Sequence, residues 1–336
     1  MAIIEDLIVN GHGVYLGLHG GRLRVSSDGK TQEDAPLLHL QSVQVVTRSA
    51  SISASALYAC CNAGIPMHFV DPFEGHYASV ISPHLTTVVV TRRAQLEAMQ
   101  TEVGVCIGRQ ICAGKIRSQV TNLRYIAKRL EGELALLFRQ TIADLLAYSD
   151  RMEKMQATRI DEVRNSMMGI EGTCSRLYWT ALGRLIPEAY GWQGRTGRHA
   201  TDPANLLLNY GYGILYGEVQ NALALAGLEP YAGLIHTDRP GKPSLTCDLI
   251  EEFRAPIVDR TVIGLLNRHY EVRMDDHGRM ERDFRKEFAE HILSRLHAQG
   301  SYDGKRLEMR SIIQRQARRL ASAFRNDSEY ESYIGG

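Results

Sequence analysis

The feature that most constrains this fold is a change of hydrophobic period part-way along the chain. From Leu7 to Val90 apolar residues alternate over short runs broken by turn residues: Val14-Tyr15-Leu16-Gly17-Leu18, then His19-Gly20-Gly21, then Leu23-Arg24-Val25, then a turn over residues 26–30. A period of two with glycine at the breaks predicts strands and tight hairpins. Residues 37–46 predict a further strand pair or bend, residues 51–63 a short helix ended by Gly64, and residues 65–71 and 77–81 two strands around a turn at 72–75. After Pro83 the spacing becomes helical and stays so. The expected class is therefore α+β, with a β-rich N-terminal domain (residues 1–90) followed by a larger all-α catalytic domain (residues 91–336), the boundary falling between 83 and 95. A chain of 336 residues can enclose a core in each.

Within the helical part, the run Gly233-Leu234-Ile235-His236 leads through Pro240, Gly241 and Pro243 to Asp248, Glu251 and Arg254. The prolines and glycine forbid helix, and Ser244 is placed to cap the helix that follows. Asp248 and Glu251 stand three apart and share a face, and His236 can fold back over them. Two acids and an imidazole beside a rigid loop suit a divalent ion with open positions. The same spacing also describes an amphipathic helix with solvated acids and a packed histidine.

Upstream, within residues 161–186, Asn165 or Ser166 is placed to cap a helix that carries Glu171, Ser175 and Tyr178 on one side. Tyr178 either contacts a phosphate or terminal hydroxyl or is a core residue. Residues 191–203 form a cationic loop in which Arg195, Arg198 and His199 either grip phosphate oxygens or keep a surface loop soluble. Residues 203–225 predict an apolar, central buried helix. Residues 305–324 predict a basic amphipathic helix, with Arg306, Arg310, Arg315, Arg318 and Arg319 away from its apolar stripe, facing DNA or a partner. Arg109, Lys115, Arg117, Arg124, Lys128 and Arg129 make residues 107–130 basic, either to touch DNA or to pair with the acidic helix that follows.

Several classes are excluded. The net charge of +1 averages over segregated charges, so it does not argue against a nucleic-acid partner. Six cysteines without a Cys-x-x-Cys pair predict reduced thiols and no structural zinc. No apolar run approaches a membrane span of about 20 residues, and Glu5 and Asp6 stand where a signal peptide has basic residues, so a cytoplasmic protein without membrane contact is expected. No phosphate-binding Gly-rich motif points to ATP. His68 and His76 lie in strand patterns without acid partners and are assigned no chemistry.

His236-Thr237-Asp238-Arg239-Pro240 and the run from Ser244 to Asp259 resemble the signature of the CRISPR-associated integrase and endonuclease family of spacer acquisition. The resemblance extends to Gly169-Ile170-Glu171-Gly172 and to the stretch from Asp202 to Tyr212, three motifs in the family's order. It implies that Glu171, His236 and Glu251 are metal ligands, with Asp248 a second acid at the same site and a tyrosine at the place of Tyr178. Mostly oxygen donors with one imidazole favour Mg2+ or Mn2+, and Arg254, one turn beyond Glu251, is placed to assist. The resemblance further implies that a captured double-stranded DNA fragment is joined to a CRISPR repeat by 3′-hydroxyl attack on a phosphodiester. The expected assembly is a homodimer, joined through the β domain and bridged by a small ferredoxin-like partner protein. The alternative is a non-catalytic architectural DNA-binding protein, in which the arginines act alone.

Overall fold

The computed structural model describes residues 4–71, 75–80, 89–197 and 200–335. The alternating segment folds as β1 (Asp6–Val9), β2 (Val14–His19), β3 (Arg22–Ser27), β4 (Lys30–Pro36), β5 (Ser42–Val45), β6 (Ala50–Ile52), α1 (Ala54–Ala63), β7 (Met67–Asp71) and β8 (Gly75–Val80). Two four-stranded sheets result, ordered β4-β3-β2-β6 and β1-β5-β7-β8. In the first, β2, β3 and β4 form an antiparallel meander and β6 joins β2 in parallel; in the second, β1, β5 and β7 are parallel and β8 is antiparallel. The inward positions, among them Leu7, Val9, Leu16, Leu23, Val25, Val43, Val45, Cys60 and Met67, form one core.

Two expectations shift here. Residues 37–46 give a 3-10 turn (Leu37–His39) and one strand rather than a strand pair. The helix expected from residue 51 starts at Ala54, because β6 claims the first residues and the Ser53 hydroxyl caps the Ala56 N–H at 3.1 Å. Gly64 ends that helix in the left-handed region at φ 71°. Most of the anticipated turn at 72–75 and part of the expected domain boundary lie outside the described residues.

The helical segment comprises α2 (Val89–Ala98), α3 (Glu102–Ala127), α4 (Gly132–Glu153), α5 (Ile160–Gly183), α6 (Pro203–Leu225), α7 (Ser244–Leu249) and α8 (Glu251–Phe253), then a π-helical turn (Arg254–Asp259) and α9 (Arg260–Leu266). After it come α10 (Arg282–His297), a hairpin of β9 (Gln299–Tyr302) and β10 (Lys305–Glu308), and α11 (Met309–Phe324). The all-helical expectation thus meets one exception. Asp303 and Gly304, at φ 49° and 73°, supply the paired left-handed residues of a two-residue hairpin turn, so Lys305 to Glu308 are strand and α11 begins only at Met309.

Compactness divides the chain differently from the change of period. One unit contains Met1–Leu85 together with Gly197–Gly217 and Glu271–Ser294; the other contains the rest. Period reports secondary structure and not the packing partner. Within the first unit the Asn10 amide donates to the Arg282 carbonyl at 2.5 Å and Lys286 pairs with Glu33. Gly213 and Gly217, one helical turn apart, let α6 lie against β7 and β8: a Cβ at 213 would come within 2.9 Å of Val70 Cγ1, and one at 217 within 2.7 Å of the His68 ring. His68 is thereby a packed histidine, wholly buried. In the second unit α3 is the axis, with α2, α4, α5, α8, the π turn and α11 packed on it.

Candidate active site

The second unit places five chemically significant side chains together: Lys115 from α3, Glu171 from α5, His236 from the loop after α6, and Asp248 and Glu251 from α7–α8. α5 starts earlier than the sequence suggests. Asn165 and Ser166 are exposed interior residues of that helix, and its first turn is fixed by Glu162, which accepts from the Thr158 N–H at 3.2 Å and the Thr158 hydroxyl at 3.0 Å. Ser244 is likewise no cap. It is the first residue of α7, and its hydroxyl donates to the Thr237 and Lys242 carbonyls at 3.1 and 3.3 Å, which ties the Pro-Gly loop back on itself.

Asp248, expected as a second acid at the metal, has another role. It is wholly buried, Oδ2 accepts the Leu234 and Ile235 N–H groups at 2.6 and 3.1 Å, and Oδ1 accepts the His236 N–H at 2.9 Å. Oδ1 also lies 2.7 Å from His236 Nδ1. A carboxylate accepts, so Nδ1 donates, and in the neutral imidazole the lone pair then lies on Nε2. With four donors on its two oxygens, Asp248 aims the imidazole and shapes its loop. Arg164 supports the same loop from α5, its Nε donating to the Leu234 carbonyl at 2.8 Å.

Glu171 and Glu251 converge on one cation, the ammonium of Lys115 from α3. Lys115 Nζ donates to Glu171 Oε1, which also accepts the Ser175 hydroxyl at 3.0 Å. Nζ stands 2.7 Å from Glu251 Oε2, but that buried oxygen receives no aligned hydrogen bond. Arg254 Nη1 is 3.1 Å from Glu251 Oε1. Burial alone would raise the Glu251 pKa, but Arg254, then Lys115, then His236 outweigh it and hold it down at about 2. Among the described residues no three His, Cys, Asp or Glu side chains stand at mutual ligating distance, since the ammonium fills the space between the two acids.

The donor set fits a hard divalent ion. An unaligned buried carboxylate oxygen, a second carboxylate across the same gap and an imidazole with its outer nitrogen unprotonated are the donors such an ion takes. The nearby sulfurs do not compete for a thiolate-binding metal. Burial, reinforced by Asp248 and Glu171, pushes the Cys112 thiol up, and burial, with the Glu171 charge behind it, takes Cys174 to about 12.

Residues 7–293 match the family described as CRISPR associated protein Cas1. The chain belongs to the Cas1 family. A CRISPR-associated endonuclease Cas1 of Archaeoglobus fulgidus is 32% identical over 343 residues, covering 98% of this chain and 99% of that protein. Among solved structures, a casposase bound to integration product superposes with a TM-score of 0.82 at 20% identity, covering 98% of this chain and 93% of that one. A Cas6-RT-Cas1–Cas2 complex gives 0.78 at 22% identity, covering 98% and 36%. At these identities the two structures are alike in fold. No helix among the described residues of this Cas1-family chain is long and apolar enough to cross a membrane.

The other anticipated residues divide sharply in this Cas1-family chain. Tyr178 is wholly buried, its hydroxyl accepting from Asn122 at 2.8 Å and donating to Asp259 Oδ2 at 2.9 Å, so it belongs to the packing beneath the π turn rather than to a phosphate contact. Arg195 is half-buried, 6.0 Å from the Trp179 ring centroid, and donates to the neighbouring Thr196 carbonyl. Arg198 and His199 lie outside the described residues. On α11, Arg315 and Arg318 are exposed, whereas Arg319 pairs with Asp303 at 2.5 Å over the Tyr302 ring and Arg310 grips Glu218 with two contacts at 3.1 Å.

The basic residues of this segment divide too: Arg117 pairs with Glu153 and Arg109 donates to the Met155 carbonyl at 3.0 Å, whereas Arg124, Lys128 and Arg129 are exposed. Sequence reasoning missed Lys115 as a site residue. The available signal was its position, one turn from Ile111, Cys112 and Ser118, which puts it on the buried stripe of α3.

Proposed function

We propose that this Cas1-family chain is a metal-dependent DNA endonuclease and strand-transferase, which inserts captured DNA fragments into a CRISPR repeat array by 3′-hydroxyl attack on a phosphodiester. The observation that carries the proposal is the convergence of Glu171 and Glu251 on a single cation, beside an imidazole held in one tautomer by Asp248. Glu171, Glu251 and His236 Nε2 would hold Mg2+ or Mn2+. When bound, the ion supplies Lewis acidity that offsets charge on the attacking and leaving oxygens and lowers the pKa of the attacking hydroxyl. Asp248 keeps the Nε2 lone pair directed at the site by accepting the Nδ1 proton. Arg254, paired with Glu251 and about one-third exposed, holds that carboxylate ionised and would bring positive charge toward phosphate oxygens. Arg195, Arg315 and Arg318 position DNA through its backbone, together with Arg198 and His199, which neighbour Arg195 in sequence.

The protein would act on double-stranded DNA as a homodimer bridged by a small ferredoxin-like partner in the cytoplasm. The likeness to a chain of a Cas6-RT-Cas1–Cas2 complex and to a casposase bound to integration product supports the partner and the strand transfer. The test is an oligonucleotide assay with the purified full chain, scoring joined and cut products separately. Mg2+ or Mn2+ should produce joined product, and Glu171→Ala or His236→Ala should abolish it while DNA affinity stays within about threefold, since the arginines set binding. Cutting without joining would reduce the assignment to a hydrolase. Undiminished metal-dependent joining by folded Glu171→Ala would return the chain to the architectural reading.

A further inference from the structure

We propose that the Lys115 ammonium is the resident cation of the Glu171–Glu251 pair, and that a divalent ion enters this site only by exchange with it. The inference rests on the metal reading above and adds a residue which that reading does not use.

Two ionised carboxylates aimed at one gap repel each other strongly where water is scarce. Here the Glu251 side chain is 8% exposed and the Glu171 side chain 25%, and the 11%-exposed Lys115 places its single charge between them. Nζ lies 2.7 Å from Glu251 Oε2 in an ion pair without an aligned hydrogen bond, so this contact is held by charge, the same attraction a divalent ion would supply. An ion of this class sits about 2.0–2.1 Å from its oxygens. It cannot share with an ammonium a gap that the two carboxylates already close upon.

The exchange must be a movement of the side chain. α3 is fixed on both sides of Lys115: a Cβ on Gly114 would come within 2.3 Å of Ser332 Cβ, and the Ser118 hydroxyl donates to the Glu252 carbonyl at 3.1 Å. The four-carbon stem of Lys115 is the flexible part, able to withdraw its charge while the helix and both acids stay in place. Lys115 is thus a positioning residue. It holds the acids together in the metal-free protein, and it weakens metal binding because the ion must displace a charge of the same sign.

The experiment measures Mn2+ binding to the full chain by the electron paramagnetic resonance signal of the free ion, for wild type, Lys115→Gln and Glu171→Gln. The exchange predicts binding about tenfold tighter in Lys115→Gln and weaker in Glu171→Gln. It also predicts that Lys115→Gln melts below wild type without metal, by a gap that narrows as Mg2+ is added. Equal or weaker binding in Lys115→Gln, with Glu171→Gln still weakened, overturns the exchange and leaves the metal reading standing. Absence of saturable binding in wild type and both variants overturns the two together.

Should Lys115→Gln fail to fold, nitrogen-15 labelling of lysine in the wild-type protein replaces it. Proton exchange of the Lys115 ammonium with water should be slow without metal and accelerate on adding Mg2+. An exchange rate that Mg2+ leaves unchanged overturns the proposal.

Discussion

Glu251 and Glu252 are consecutive residues of one short turn, both buried, and the two sides of that turn treat a carboxylate in opposite ways. On one side Glu251 meets the Arg254 and Lys115 cations, with His236 nearby, and its pKa falls to about 2 against the pull of burial. On the other, Glu252 accepts the Tyr330 hydroxyl at 2.6 Å and the Tyr333 N–H at 2.7 Å. Tyr333 closes that side by stacking on Phe253, with ring centroids 5.2 Å apart. Burial is the largest influence on Glu252 and raises it to about 8, although these donors and the more distant Arg319 lower it. Depth of burial therefore does not decide whether an acid is available for chemistry. Full positive charges facing the carboxylate decide it, because neutral donors only partly replace lost hydration.

The sharpest way to break this comparison is to neutralise each acid in turn without changing its shape. Glu251→Gln should lower strand transfer by about a thousandfold, roughly 4 kcal/mol of barrier, because it removes an ion ligand. Glu252→Gln should stay within about threefold of wild type, since an amide can accept from the Tyr333 N–H and donate to the Tyr330 hydroxyl. Comparable losses in both, measured on folded protein under single-turnover conditions, would show that the two sides of the turn do not differ in function.

Asp248 is a third buried acid that meets neither cations nor aromatic hydroxyls but backbone N–H groups and one imidazole. Asp248→Ala would leave the Leu234, Ile235 and His236 N–H groups and the His236 ring without their acceptor. A loss of about 3 kcal/mol in urea unfolding is expected, together with reduced activity from the unfixed imidazole. Unchanged stability with reduced activity would instead make Asp248 a direct participant, as the sequence first suggests.

Much of this arrangement was legible in the sequence, and what was not follows a pattern. The alternation in residues 7–80 marks the strands because side chains of a half-buried strand alternate by geometry. The joining of residues 197–217 and 271–294 to the first unit was hidden, because a helix looks the same whichever core it packs on. Glu171, His236 and Glu251 were singled out by motif, but motif spacing gave no means of ranking Asp248 below them, since both acids lie on one helical face. Only the N–H groups turned toward Asp248 separate the two. Lys115 stands in a run of basic residues, and only its place on the buried stripe of α3 separates it from them; the acids it meets come from elements distant in sequence.

The difference between the two acids of the turn also fixes how stability should vary with pH. An unfolded glutamate titrates near about 4.3, whereas folded Glu252 holds its proton to about 8. Between those values the unfolded chain binds fewer protons than the native one, so this group makes stability fall as pH rises through the window, by up to about 5 kcal/mol. Glu251 acts with the opposite sign: its folded pKa is depressed, and its contribution, present above about 4.3, is lost as pH falls toward about 2. Between pH 5 and pH 8 Glu251 is ionised throughout, but burial holds His76 down at about 3, so that histidine makes stability rise with pH up to its unfolded value and opposes Glu252. The difference between wild type and Glu252→Gln therefore reads Glu252: stability of the variant relative to wild type should rise from pH 5 to pH 8, and a difference that does not change with pH would contradict the assignment.

The same distinction, between charge occupied within the fold and charge left facing outward, extends to α11 at a smaller scale. Arg310 and Arg319 are paired with Glu218 and Asp303, whereas Arg315 and Arg318 on the same helix are exposed. If exposed arginines position DNA, Arg315→Ala with Arg318→Ala should weaken binding equally for any sequence. Each lost contact should flatten the dependence of log K on log salt by about 0.9 for duplex DNA. Arg310→Ala should leave that slope in place and lower thermal stability instead, because Glu218, nearly buried, would lose its bidentate partner. The effect on affinity is modest, about tenfold or less at physiological salt, so the slope is the measurement to rely on. An unaltered slope in the double variant would place the DNA path elsewhere on the molecule and leave Arg315 and Arg318 as solvated charges with no part in binding.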